Sequence, residues 1–154
     1  MKLEVQWIGD PKVDWREYLP VRKTPGSSGW DVFAYNGLVR IKPGDRTVVK
    51  TGWKVKIPEG YELQLRTRSG MAFKYGLAVL NSPGTIDQDY QGELMVIMIN
   101  HSDEIQFIRD KMAIAQLVMA PVSLCECVAV ADEPLFEMTT ERGTGGFGST
   151  GDYR

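Results

Sequence analysis

Short apolar runs with a two-residue period, each closed by a proline–glycine turn, fill this chain and leave it little choice but a sheet. Tyr61-Glu62-Leu63-Gln64-Leu65-Arg66 alternates strictly, and Leu3 to Ile8 is apolar at alternate positions. Thr47-Val48-Val49 and Trp53 to Ile57 flank Thr51-Gly52, and Ile105 to Ile108, Ile114 to Met119 and Val122 to Val130 also read as strands. Leu94 to Ile99 is apolar throughout, which predicts a strand buried on both faces. Between the runs stand Lys42-Pro43-Gly44-Asp45, Pro58-Glu59-Gly60, Ser82-Pro83-Gly84 and Ala120-Pro121, where proline presets φ and glycine accepts the inverted φ that follows. Helical periodicity is weak and predicts only two short pieces, Asp14 to Leu19 and Ser69 to Tyr75, the second with Ser69 as its N-cap. The predicted class is all-β, a sandwich or barrel.

Composition narrows the function. The 154 residues are 43% apolar, enough for one domain with a real core. A net charge of −2 without a basic run argues against direct nucleic-acid binding. The longest apolar run falls far short of the ~20 residues that span a bilayer. No apolar stretch follows Lys2, so no signal peptide is expected; the predicted setting is cytoplasmic, away from membranes. Cys125 and Cys127 are the only thiols and His101 the only imidazole, too few for a structural zinc site of about four ligands. The thiols read as core or surface groups in a reducing compartment. His101 lies in the polar turn Asn100 to Glu104 and is expected on the surface, which sets triad chemistry aside.

Three segments hold residues suited to chemistry. The stretch Arg142 to Gly151 is half glycine. It contains G-x-G-x-x-G twice, but neither copy stands between a strand and a helix, and no lysine precedes Ser149-Thr150, so the Rossmann and Walker readings both fail. Bare backbone N–H groups with Arg142, Ser149 and Thr150 still suit phosphate oxygens, and Phe147 suits a flat ring. Arg66-Thr67-Arg68-Ser69-Gly70 leaves a strand and enters a helix, a natural anion site beside a guanidinium. Asn81 to Glu93 reads as a long hairpin with Asp87 placed to activate a water and Tyr90 to lie under a sugar or base. Taken singly, each segment reads as an ordinary tail, cap or turn. Together they describe a nucleoside triphosphate ligand.

Five segments in one order resemble the homotrimeric dUTPases (deoxyuridine triphosphate nucleotidohydrolases). These are Gly29 to Ala34, Arg68 to Ala72, Gly84 to Glu93, Ile114 to Leu117 and Arg142 to Gly151. The resemblance implies a distorted β-barrel or jelly roll over residues 1–138 and a flexible arm over 139–154. It also implies a homotrimer whose active sites lie between subunits, the arm of one closing over a site built by others. The implied reaction is hydrolysis of dUTP to dUMP and pyrophosphate by water attack on the α-phosphorus, with Mg2+ on the triphosphate; it limits uracil entry into DNA and supplies dUMP for thymidylate synthesis. Asp87 would orient and deprotonate the water. Asn81 and the backbone of Gly84, Thr85 and Ile86 would read uracil, with the Tyr90 ring under the deoxyribose. Arg68, Ser69, Gly70 and Gln116 would hold the phosphate chain, and Asp31 would touch Mg2+-bound water. In the arm, Phe147 would stack on uracil, with Gly148 beside it, while Arg142, Ser149 and Thr150 grip the γ-phosphate.

Three positions depart from the family pattern. Trp30 stands for tyrosine. Thr67 stands for proline and is expected to loosen that strand end. Lys111-Met112-Ala113 replaces Gly-Asp-Arg, which puts any ion pair of that arginine in doubt. Two rivals remain: a dCTP deaminase, which shares the fold but uses a glutamate proton shuttle and lacks such an arm, and a non-catalytic nucleotide-sensing module. Members of the family also bind regulatory proteins, and this sequence leaves room for such a partner.

Overall fold

The structure, a computed structural model, describes residues 1–35, 37–131, 134–136 and 138–146. It divides into two units, Met1–Ser123 and Leu124–Arg154. In the first, the strands are β1 (Glu4–Trp7), β2 (Gly29–Phe33), β3 (Val39–Ile41), β4 (Arg46–Lys50), β5 (Trp53–Lys56), β6 (Tyr61–Arg66), β7 (Leu77–Val79), β8 (Gly84–Ile86), β9 (Met95–Asn100), β10 (Gln106–Ile108) and β11 (Ala113–Pro121). One α-helix, α1 (Ser69–Tyr75), and a 3₁₀ turn at Trp15–Tyr18 interrupt them. The class is all-β. No helix among the described residues is long and apolar enough to cross a membrane.

Alternation decides which face each strand buries. In β6 the side chains of Leu63 and Leu65 are buried; in β9 those of Val96 and Met98 are. The four-stranded sheet β2-β11-β6-β8 and the three-stranded sheet β4-β9-β7, both antiparallel, contribute these residues to one apolar cluster with Val32, Val49, Val79 and Leu117. Ribbons β1-β5 and β3-β10 complete the pairing. The β11 register shifts between Ala113 and Ala115, an irregularity of the kind that bends a strand and re-aims its groups.

Four expectations are corrected. The run Leu94 to Ile99 is not buried on both faces: Val96 and Met98 point into the core, while Met95 is exposed and Ile97 and Ile99 are half-buried. Val122 to Val130 forms no strand; Leu124, Val128 and Val130 are exposed. Alternation alone makes no strand without a partner edge. Ser69 is the first helical residue; the N-cap is Arg68, with no side-chain capping bond. Asn81 to Glu93 is not a hairpin within one sheet, because β7 and β9 pair directly while β8, between them, joins β6 in the other sheet.

Asp14 caps the 3₁₀ turn, its carboxylate accepting from the Arg16 N–H, and this bond holds its pKa below the usual value. The turn delivers Tyr18 into an aromatic nest. Trp7 lies 5.4, 4.8 and 5.1 Å from the rings of Tyr18, Tyr35 and Trp53. Gly52 makes the close approach possible. It has φ +74°, and a β-carbon there would lie 2.5 Å from Trp7 Cζ3. The Tyr18 hydroxyl donates to Asp110 Oδ2 at 2.6 Å; burial, then this bond, raises its pKa above the ordinary tyrosine value.

Candidate active site

Sheet register assembles the first group of candidate residues. Gln116 of β11 lies opposite Asp31 of β2 on one side and Arg66 of β6 on the other. Past the end of β6, the backbone carries Arg68 back over this row. Its guanidinium clamps Asp31 fork to fork, Nε to Oδ1 at 2.8 Å and Nη2 to Oδ2 at 3.1 Å. Nη1 donates to the Ala113 carbonyl at 2.6 Å, at the β11 irregularity. The pair is largely enclosed, with 12% of the Asp31 side chain and 30% of the Arg68 side chain exposed. Ser69 and Gly70 follow on the exposed first turn of α1.

Thr67 is a knot at this junction, contrary to the loosening expected of it. Its carbonyl accepts from Gln116 Nε2 at 3.0 Å, its hydroxyl from the Val79 N–H at 2.9 Å, and its N–H donates to Ser82 Oγ at 3.3 Å. Proline in its place would have no N–H to give. Of the segment Lys111-Met112-Ala113, Arg68 meets a carbonyl, that of Ala113. Lys111 itself takes the left-handed φ of +62° that glycine suits better, and its Nζ pairs with Glu17.

The second group surrounds a hollow of about 260 Å³. Asn81, Gly84, Thr85, Ile86 and Tyr90 line it, with Glu93 beside them and Leu65 on the apolar side. Gly84 is buried, and a β-carbon there would lie 3.0 Å from Asn81 Nδ2, so glycine sets the seat of that amide. The Ser82-Pro83 peptide is cis. Most ligand clefts enclose ~300–1,000 Å³, and this hollow falls just below that range. β8 is the edge strand of its sheet, so one row of its N–H and C=O groups is unused by β6. Tyr90 is pinned at both ends, its N–H to the Asp87 carbonyl at 3.1 Å and its hydroxyl to the Glu93 carbonyl at 2.9 Å. Asp87 is exposed and does not line the hollow. A larger hollow of about 510 Å³, between β1-β5 and Gln88 to Gln91, shares only Tyr90 with the candidate set.

Asp87 and Arg68 do not meet within one chain, although Thr67 and Ser82 join the two groups. β8 runs antiparallel to β6, with Gly84 opposite Leu65 and Ile86 opposite Leu63. Asp87 therefore lies toward the start of β6 and Arg68 beyond its end. Four residues of strand at ~3.3 Å each separate the level of Asp87 from the row of Gln116 and Arg66 by roughly 13 Å.

In the second unit, residues 140–145 form a turn. The Gly143 N–H donates to the Thr140 carbonyl at 3.0 Å, the Gly145 N–H to the Arg142 carbonyl at 3.0 Å, and Arg142 Nε to the Gly145 carbonyl at 3.0 Å. The Arg142 side chain is exposed. Phe147, Gly148, Ser149 and Thr150 lie outside the described residues. His101 is exposed, as are Cys125 and Cys127. The contributions of Thr67, Glu93 and the Ala113 carbonyl are absent from the sequence-based set; Glu93 closes the third family segment, yet its role, like theirs, acts through contacts formed only on folding.

The family model described as dUTPase matches residues 17–151. The chain belongs to the dUTPase family. Deoxyuridine 5'-triphosphate nucleotidohydrolase of Chlamydia pneumoniae is 52% identical over 134 residues, covering 86% of this chain and 90% of that one. The namesake from Nautilia profundicola is 46% identical over 151 residues, 98% of this chain and 99% of its own. Among solved dUTPases, a mutant from Staphylococcus bacteriophage 80alpha with dUpNHpp superposes with a TM-score of 0.81 at 29% identity, covering 97% of this chain and 98% of that one. A mutant dUTPase from phage phi11 of S. aureus, described with a structural Mg(II) ion, has a TM-score of 0.73 at 27% identity over 90% of this chain and 100% of its own. The jelly-roll-like fold of these dUTPases is the fold of this chain.

Proposed function

We propose that the chain hydrolyses dUTP to dUMP and pyrophosphate by attack of water on the α-phosphorus, at sites shared between the subunits of a homotrimer. The activity itself, dUTP diphosphatase, is that of the family. The observation that supports the finer reading is the hollow edged by β8. Uracil presents an O4 acceptor and an N3–H donor, which cytosine reverses, and a fixed main-chain edge cannot swap its own donors and acceptors to follow. Each unpaired buried group then costs ~1–3 kcal/mol. The pinned Tyr90 ring would lie against the deoxyribose and leave no room for a 2′-hydroxyl.

Water attack needs a base beside the α-phosphorus and cations along the chain. Asp87, exposed one residue past β8, would take the proton of the attacking water, a contribution of roughly 10²–10⁴ in rate. Arg68, with Ser69, Gly70 and Gln116, would bind phosphate oxygens. Because Asp87 and Arg68 of one chain stand at opposite ends of β6, the two would converge on one triphosphate only when different copies supply them, as in a closed ring of three.

No group of three or more His, Cys, Asp or Glu side chains among the described residues gathers into a metal site. A Mg2+ carried in on phosphate oxygens keeps most of its waters and needs one anionic neighbour. Asp31 suits that need, since each carboxylate oxygen retains a lone pair after accepting from Arg68. The arm from residue 139 would then close over the site and exclude other water.

Pyrophosphate release over dUTP, dCTP, dTTP and UTP, with and without Mg2+, tests this reading. Release from dUTP alone, and only with Mg2+, is expected. Ammonia from dCTP without pyrophosphate would assign the deaminase chemistry instead.

A further inference from the structure

Glu93 is half-buried at the hollow's edge, and the proposed mechanism gives it no task. Its Oε1 accepts from the buried N–H of Gly52 at 3.0 Å. That N–H belongs to the left-handed turn whose glycine packs under Trp7, and the Gly52 carbonyl accepts from Ile8 N–H at 2.8 Å. The next residue is fastened to the same turn. The Leu94 N–H donates to the Trp53 carbonyl at 2.7 Å, and the Leu94 carbonyl accepts from Thr51 Oγ1 at 2.6 Å. Glu93 and Leu94 are thus anchored to the floor of the aromatic nest, a fixed point independent of the loop that carries Asp87.

The Tyr90 hydroxyl donates to the backbone carbonyl of this same Glu93 at 2.9 Å. On the other side, Gly92 leaves no slack: a β-carbon there would collide with the Tyr90 hydroxyl. The height of the Tyr90 ring above the hollow is therefore set by where Glu93 sits, and Glu93 is held by a carboxylate on a buried amide.

We propose that Glu93 is a positioning residue that fixes the Tyr90 ring against the sugar, through the Gly52 amide, and so sets discrimination at the 2′ position. This rests on the reading of Tyr90 given above. Glu93 touches no reacting atom. Its contribution is to substrate fit, so it acts on KM and on the choice between dUTP and UTP more than on kcat.

The test compares Glu93→Ala and Glu93→Gln with the wild-type chain in steady-state hydrolysis of dUTP and UTP. Glutamine keeps an oxygen acceptor for the Gly52 amide; alanine removes it. Glu93→Ala is expected to raise KM for dUTP about tenfold, the size of one misplaced substrate contact, with kcat within about threefold. The dUTP-over-UTP ratio of kcat/KM should fall about tenfold, and Glu93→Gln should restore both quantities to near wild type. A general loss of packing would not move the sugar ratio and would not be rescued by glutamine. Should Glu93→Ala not fold, Glu93→Asp, one methylene short of the amide, is measured in its place. An unchanged KM and sugar ratio in a folded variant, with the wild type hydrolysing dUTP, overturns the proposal. A wild type that leaves dUTP intact fails the function itself, and the two failures are read separately.

Discussion

Arg68→Lys keeps the charge and removes the fork. The guanidinium makes three bonds at once, two to Asp31 and one to the Ala113 carbonyl. An ammonium on a flexible stem serves one such acceptor well at a time. Two acceptors lose their donor, and each would cost ~1–3 kcal/mol if fully buried. With 30% of the Arg68 side chain exposed, water replaces part of what is lost. Discounting by about half for that screening leaves a destabilisation of about 1–3 kcal/mol. For a chain of this length that is a fall in Tm of roughly 2–4 °C per kcal/mol. Guanidinium unfolding followed by tryptophan fluorescence, at matched protomer concentration, reads it as a lower midpoint with an unchanged m value. In an Asp31→Ala background the same substitution should cost less than half as much, because the fork's main acceptor is gone. A midpoint equal to the wild type, or the same cost in both backgrounds, would refute the assignment of Asp31 and Arg68 as an enclosed, mutually dependent pair.

Asp87→Asn should bind dUTP near normally and lower kcat by at least ~10², measured by pyrophosphate release beside calorimetric binding; wild-type turnover would remove Asp87 as the base. Removing residues 142–154 should nearly abolish turnover and leave the thermal transition of the remaining chain in place, since the core cluster lies wholly within Met1–Ser123. Tyr18→Phe removes a part-buried bond to a carboxylate and should cost about 1–2 kcal/mol near neutral pH. Because the folded pKa of Tyr18 is raised, that stability is complete below the ordinary tyrosine value of about 10 and is lost as pH rises beyond it. The gap in Tm between wild type and Tyr18→Phe should therefore close in alkali; a gap that widens there would contradict the Asp110 contact.

What the sequence made legible was local. β6 follows its alternation residue for residue, and the predicted helix around Asp14 is a 3₁₀ turn capped by that aspartate. Non-local facts were hidden. The bonds between Asp31 and Arg68 join residues 37 apart, and the transfer of β8 from one sheet to the other carries no compositional mark. The apolar run of β9 misled because one apolar face points away from the core. Met95 and Ile97 line the hollow edged by β8, half-buried or exposed in a single copy; a subunit boundary is the proposed reason for apolar side chains there. Thr67 misled in the opposite sense, since a departure from proline added a donor and a hydroxyl that the junction uses.

Subunit mixing tests the shared site most directly. Asp87→Asn chains and chains lacking residues 142–154, each close to inactive alone, are combined under conditions that exchange subunits, with mixed oligomers verified by native mass spectrometry. Random mixing in a ring of three places an intact Asp87 and an intact arm together at about a quarter of sites, so pyrophosphate release from dUTP should recover to about that fraction of the wild-type rate. Verified mixed oligomers no more active than the sum of their parents would contradict a site built across copies.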